Sequence, residues 1–118
     1  MNQTIHQFKA EFFKILAHPA RLAILDQLRT GEKNVGELQV GIGADQAIVS
    51  QQLAKLRAGN IVVTRKEGTT VYYAVRDPLI FNLLDVAREI FNNQLIDTQE
   101  ILRQIIREAD PVPSADSH

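Results

Sequence analysis

The chain has 118 residues, with 13 lysines and arginines against 14 aspartates and glutamates, and it contains no cysteine. This length favours one domain with one core, and the absence of cysteine excludes disulfides, thiolate metal sites and thiol catalysis. No apolar run reaches the length of about 20 residues that a transmembrane helix needs. The polar start MNQTIHQFKAEFFK is unlike a signal peptide, so we expect no membrane association and a cytoplasmic location.

The net charge of −1 is distributed unevenly along the chain. Residues 46–76 contain five lysines and arginines against one glutamate, whereas residues 77–118 contain three arginines against eight acidic residues. Local charge decides where a polyanion can bind. The near-zero total therefore does not exclude a nucleic-acid partner for the middle of the chain.

Two helices are predicted at the start of the chain. Apolar residues recur at helical spacing over residues 5–16, and this helix ends near His18 because the residue before a proline is forced out of the helical region. Pro19 suits the first turn of the second helix, which Gly31 ends.

Two further helices follow. Asn34 is a suitable cap for a short third helix that Gly41 and Gly43 break. Asp45 is a suitable cap for a fourth helix that runs to about Ala58, where a Gly-Asn pair ends it.

The pattern then changes to β-branched and aromatic residues. Two such runs, 61–64 and 69–75, flank Glu67 and Gly68, which predicts a β-hairpin. Asp77 then begins another helix.

That last helix has a predicted interruption. Pro78 suits its first turn, and its apolar residues continue to Phe91. The asparagines at 92–93 weaken it, and Asp97 with Glu100 resembles a capping box that starts a new helix.

The element order predicts an α+β, mainly α fold: a winged helix-turn-helix with a two-stranded β-hairpin wing. We expect residues 1–110 to form a single DNA-binding and dimerisation domain. The tail 111–118 is rich in proline, serine and aspartate and is expected to be disordered.

The fourth helix carries the predicted function, because a helix-turn-helix places its second helix in the DNA major groove. Val49, Leu53 and Leu56 occupy the inward face of this helix. The opposite face is small or polar, and the hairpin tip is basic and suited to phosphates. The predicted DNA-binding residues are Gln46, Ala47, Ser50, Gln51 and Lys55 in the major groove, and Arg65, Lys66 and Thr69 on the backbone or minor groove.

Three blocks resemble the ArsR family of bacterial winged-helix repressors: LAHPARLAIL at 16–25, VSQQLAKLRAGNIV at 49–62 and RKEGTTVYY at 65–73. The resemblance covers residues from about 5 to 92. Members of the family often have a histidine where this chain has Gln52, which we expect to pack partly inward without loss of DNA binding. The resemblance implies a homodimer, formed by the first and last helices, on an inverted-repeat operator.

The apolar residues agree with that implication. The first helix and the helix at 78–91 carry more apolar surface than a small core can cover, which is typical of a partner surface.

The family's usual sensing sites are missing from this sequence. Gln39 occupies the position of a thiolate ligand on the third helix, and an amide is a poor ligand for thiophilic ions. No histidine lies between Asp77 and Asp110, where other members bind a metal through the dimer helix. We therefore predict no metal and no cofactor, and the effector stays unknown.

Two alternatives stay open. The first is a metal-responsive regulator or activator that binds nickel, cobalt or zinc through His6 and carboxylates such as Glu11 at the dimer interface. The second is a winged-helix protein–protein interaction module. We do not expect an enzyme, because the sequence offers no Ser-His-acid or paired-carboxylate arrangement.

Overall fold

Five α-helices and three short β-strands make up residues 4–109, the part of the chain that the computed structural model describes. The predicted mainly α, winged helix-turn-helix class is confirmed. The residues divide into a first unit that ends at Phe81 and a second unit that begins at Asn82. The elements are α1 (Ile5–Leu16), α2 (Pro19–Gln27), a 3₁₀ turn (Leu28–Thr30), β1 (Lys33–Asn34), α3 (Val35–Ile42), α4 (Gln46–Ala58), β2 (Val62–Glu67), β3 (Thr70–Val75) and α5 (Leu79–Ala109).

Side chains at the helix starts explain why the helices begin where the sequence predicts. The Asn34 side chain accepts a hydrogen bond from the Glu37 backbone N–H at 2.9 Å, and the Glu37 carboxylate accepts one from the Asn34 N–H at 2.9 Å. This reciprocal capping box satisfies two N–H groups that the first turn leaves unpaired. His18 caps α2 in a similar way, because its Nδ1 accepts from the Ala20 N–H at 3.1 Å. Asp45 occupies the cap position of α4 without a side-chain hydrogen bond.

The prediction that Gly41 breaks the third helix is wrong. α3 continues through Gly41 to Ile42, and the left-handed Gly43, with φ of 67°, ends it. Packing explains the glycine at position 41 instead, because a Cβ there would lie 2.2 Å from the side-chain oxygen of Gln27 in α2. The glycine therefore leaves room for the Gln27 side chain against α3.

The wing belongs to a three-stranded antiparallel sheet, in the order β1-β3-β2, and not to an isolated hairpin. β2 and β3 pair as predicted, with Glu67 opposite Thr70 and Gly68 at φ of 64° in the tight turn between them. The sequence analysis missed β1, whose two residues are too few to show a strand periodicity. Through β1, Lys33 pairs with Tyr73, and Asn34 pairs with Tyr72.

The core of the first unit lies under α4. Val49, Leu53 and Leu56 are completely buried and form the inward face that their spacing predicts. They pack among apolar residues from the other elements of the unit, which are Leu16, Ile24, Leu25, Leu28, Leu38, Ile61, Val62 and Ile80. Burial of this face fixes which residues of α4 point outward.

The prediction of two C-terminal helices is also wrong, because α5 runs unbroken from Leu79 to Ala109. Asp77 starts it as expected, by accepting a hydrogen bond from the Leu79 N–H at 3.0 Å. The asparagines at 92–93 do not end it, since asparagine costs a helix well under 1 kcal/mol relative to alanine and no glycine or proline follows before Ala109. The predicted tail at 111–118 lies outside the described residues.

α1 rests closely on the end of α4. A Cβ on Gly59 would lie 2.5 Å from Ile15 Cδ1 and 3.0 Å from Ile15 Cγ2. The φ of Gly59 is −86°, which any residue adopts, so space and not backbone conformation requires glycine here.

We therefore expect Gly59→Ala to lower the free energy of unfolding by about 1–3 kcal/mol, because the added methyl displaces a stiff, β-branched Ile15. Urea denaturation of the full chain measures this. Gly36→Ala in α3 is the matched control: a Cβ there meets Asn34 Oδ1 at 3.4 Å, an ordinary contact. That variant should be unchanged or slightly more stable. Equal denaturation midpoints for the two variants would contradict the packing argument.

Candidate nucleic-acid interface

The outward face of α4 presents small and polar side chains. Gln46, Ala47, Ser50 and Gln51 are all exposed, opposite the buried Val49. A helix turns 100° per residue, so these four residues share one face. Amide and hydroxyl groups on a helix of small residues suit hydrogen bonding to base edges in a major groove.

Lys55 is also exposed, but it lies at the margin of this face. Its helical position falls beside Ile48, and its side chain lines a cleft between α4 and α1. The structure therefore brings Lys55 close to the face without placing it at the centre.

The sequence analysis missed Arg57 as a candidate. This exposed residue follows Gln46 and Ser50 at spacings of eleven and seven, which puts the three side chains on the same side of α4. The helical periodicity of the polar face, extended by two turns beyond Ser50, predicts Arg57 at this position.

Gln52 lies directly beside this face but points inward, as expected, and is 7% exposed. Its Oε1 accepts a hydrogen bond from Arg21 Nε at 2.8 Å, and Arg21 Nη1 also donates to the Ile15 carbonyl at 2.8 Å. One guanidinium on α2 therefore connects the end of α1 to the middle of α4. No sequence pattern indicated this connection, because Arg21 and Gln52 are 31 residues apart.

Arg65, on the wing, is bound within the protein. Its Nε and Nη2 donate to the two oxygens of Glu32, the first at 3.0 Å, and its Nη1 donates to Glu67 Oε1 at 2.8 Å. The guanidinium also lies 4.9 Å from the centre of the Tyr72 ring. The hydrogen bond from Arg65 lowers the pKa of the Glu32 carboxyl, and the hydrogen bonds to Glu32 and Glu67 raise the pKa of Arg65.

Lys66 and Thr69 are exposed near the end of the wing. Among the residues of the first unit that the structure describes, Lys66 has no ion-pair partner. Unlike Arg65, it can neutralise a phosphate without breaking an existing contact.

The alternative metal ligands do not form a cluster. His6 and Glu11 are exposed on α1, and no group of three histidine, cysteine, aspartate or glutamate side chains within residues 4–109 is placed to hold a metal ion. No helix in the same range is long and apolar enough to cross a membrane.

Comparison with known proteins identifies the family. Residues 18–64 match the bacterial regulatory proteins of the arsR family. The HTH-type transcriptional regulator Rv0081 of Mycobacterium tuberculosis is 38% identical over 105 residues, which cover 88% of this chain and 92% of the relative. The chain belongs to the ArsR family. It is a DNA-binding transcriptional regulator.

Solved structures of similar proteins agree with this family. The crystal structure of Rv0081 superimposes with a TM-score of 0.73 at 40% identity and covers 82% of this chain and 98% of that one. The transcriptional repressor BigR of Xylella fastidiosa gives 0.67 at 36% identity, covering 73% and 88%. The homodimeric winged helix-turn-helix DNA-binding domain Mb0332 of Mycobacterium bovis gives 0.66 at 28% identity, covering 80% and 92%.

In this ArsR-family chain, the neighbours Gln51 and Gln52 should differ sharply in their effect on stability. Gln52→Met keeps the side-chain length but removes the acceptor for the partly buried Arg21, so we expect a loss of about 1–3 kcal/mol in the free energy of unfolding. Gln51→Met is the control, because an exposed substitution changes stability by no more than about 0.5 kcal/mol. Chemical denaturation compares them, and equal losses would contradict a structural role for the Arg21–Gln52 bond.

Proposed function

We propose that this regulator is a repressor that binds an inverted-repeat operator as a homodimer in the cytoplasm. One observation carries the proposal: burial of Val49, Leu53 and Leu56 leaves a small, polar face of α4 exposed. A major groove admits a helix and distinguishes base pairs by their hydrogen-bonding groups. On this face, Gln46, Ala47, Ser50 and Gln51 are the proposed base-reading residues, with Arg57 and Lys55 at its edges.

Exposed apolar side chains support dimer formation. On α1, Ile5, Phe8 and Phe13 are each more than half exposed. In the second unit, α5 exposes Phe91 by 65%, together with a series of leucines and isoleucines that continues to Ile106 at 64%. Apolar surface of this extent is typical of a protein interface. The homodimeric state of Mb0332 is consistent with the same arrangement here.

For the wing, we propose that Lys66 and Thr69 contact the DNA backbone or minor groove. Arg65 has a different proposed task, because Glu32 and Glu67 already neutralise its charge. It holds the wing against the segment before β1 and so sets the position of Lys66 relative to α4.

The deciding experiment is selection of fragments from genomic DNA with the purified full-length protein, followed by titration of a selected duplex at two salt concentrations. A dimeric reader should select two half-sites spaced by about one helical turn of 10 base pairs. A protein–protein interaction module would instead show no salt-dependent affinity for any duplex. That result would overturn the proposal.

Gln51→Ala should weaken binding to the selected operator by about 1–3 kcal/mol and reduce discrimination against sequence variants, because a base-edge contact is lost. Fluorescence anisotropy with matched and mutated half-sites measures both effects. Since Gln51 is exposed, the folded state should be unaffected. Unchanged affinity and specificity would remove Gln51 from the interface.

Lys66→Ala should weaken binding to all sequences alike and lower the slope of log affinity against log salt by about one unit, because one phosphate contact is lost. Lys9→Ala is a suitable control, since this exposed lysine belongs to α1 and to neither α4 nor the wing. A slope that stays the same in Lys66→Ala would show that the wing does not contact phosphate.

A further inference from the structure

We propose that the cleft between α1 and α4 is a binding site for a small anion that carries a phosphate or carboxylate group, and that its occupancy weakens operator binding. The cleft has a volume of about 440 Å³, within the range of small-molecule sites. It is lined by Glu11, Lys14, Ile15, Ala17, Arg21, Lys55, Ala58 and Gly59.

Arg21 carries a positive charge that its hydrogen-bond partners do not neutralise. This partly buried guanidinium donates only to neutral acceptors, the Gln52 amide oxygen and the Ile15 carbonyl. No carboxylate of the described chain pairs with it. Charges withdrawn from water are normally paired, and a guanidinium has five N–H groups, of which these bonds use two.

The other charged residues that line the cleft are mostly positive. Lys14 and Lys55 also line the cleft, and neither forms an ion pair within residues 4–109. Against these three cations the lining offers one carboxylate, Glu11. A concave surface with an excess of one charge concentrates ions of the opposite sign.

The walls of the cleft leave room for a ligand. Ala17, Ala58 and Gly59 contribute almost no side-chain volume to the walls. The planar fork of an arginine binds carboxylate and phosphate groups through two parallel hydrogen bonds, and a lysine adds a point charge. A small phosphate or carboxylate compound therefore matches both the size and the chemistry of the cleft.

Lys55 couples this site to DNA, a step that rests on the proposed function. It lines the cleft and also lies at the margin of the α4 face. An anion in the cleft neutralises Lys55 and places negative charge beside the approaching phosphates. The expected result is weaker binding to the operator.

The site is tested first without DNA. Pyrophosphate, with citrate as a carboxylate probe, is titrated into the isotope-labelled full chain at constant ionic strength, and amide shifts of Lys14, Lys55 and Gly59 are followed. Saturable shifts are expected. Lys14→Gln should weaken binding by about two- to five-fold, the effect of losing one favourable charge contact at an exposed position. Lys9→Gln, on the same helix but outside the cleft, should leave it unchanged.

Two results in this arm would overturn the site: shifts that do not saturate, or equal losses in Lys14→Gln and Lys9→Gln.

The second arm adds the selected operator. Pyrophosphate should weaken operator binding several-fold in the wild type, and Lys14→Gln should need a higher pyrophosphate concentration for the same loss, in proportion to its weaker anion binding without DNA. If Lys14→Gln weakens DNA binding without pyrophosphate, the cleft holds a DNA phosphate and the proposal is wrong. Failure of the protein to select any duplex would remove the proposed function, while the titration without DNA would still test the site.

Discussion

The arrangement of α1, α2 and α4 depends on one guanidinium. Arg21 lies on α2, yet it bonds the last turn of α1 through the Ile15 carbonyl and the middle of α4 through Gln52. Apolar burial fixes which side of α4 faces the core, but it constrains sliding of α4 along its axis less closely, because hydrophobic contacts are non-directional. Hydrogen bonds from a rigid, planar group are directional. The position of Gln46, Ser50 and Gln51 therefore follows from a polar contact made on the opposite side of their helix.

The same interaction explains why the adjoining cleft is positively charged. A glutamate at position 52 would form an ion pair with Arg21 and neutralise it, whereas the amide of Gln52 orients the guanidinium and leaves its charge in place. Gly59 then allows α1 to approach the end of α4, with Ile15 filling the space that a side chain would need. Orientation of the predicted recognition helix and attraction of an anion are thus two consequences of one uncompensated arginine.

The sequence was informative wherever structure is determined locally. Capping residues such as Asn34 and turn glycines such as Gly68 act within a few residues, and the inward face of α4 follows from its own periodicity. Predictions failed where a distant element decided the outcome. Gln27 of α2 lies against Gly41, a contact that the local sequence does not reveal. The error at α5 is local instead: asparagine costs a helix well under 1 kcal/mol, and the capping-box-like pair Asp97 and Glu100 lies inside the continuous helix. The candidate α4 face could be predicted from the sequence, but the hydrogen-bond partner of Gln52 could not, because it lies 31 residues away.

The wing shows how a missed strand changes the electrostatics of a site. β1 pairs with β3, so it brings Glu32 next to Arg65, whose guanidinium lies over the Tyr72 ring. The basic character that residues 46–76 show as a segment is therefore partly cancelled by an acidic residue from outside that segment. The proposed DNA contacts of the wing are therefore Lys66 and Thr69. Lys66 follows Arg65 on β2, and two carboxylates already hold Arg65 in place. These contacts already hold this part of the wing in place, so DNA binding does not carry the entropic cost of ordering it. A single lysine there can therefore contribute more of its contact energy to affinity.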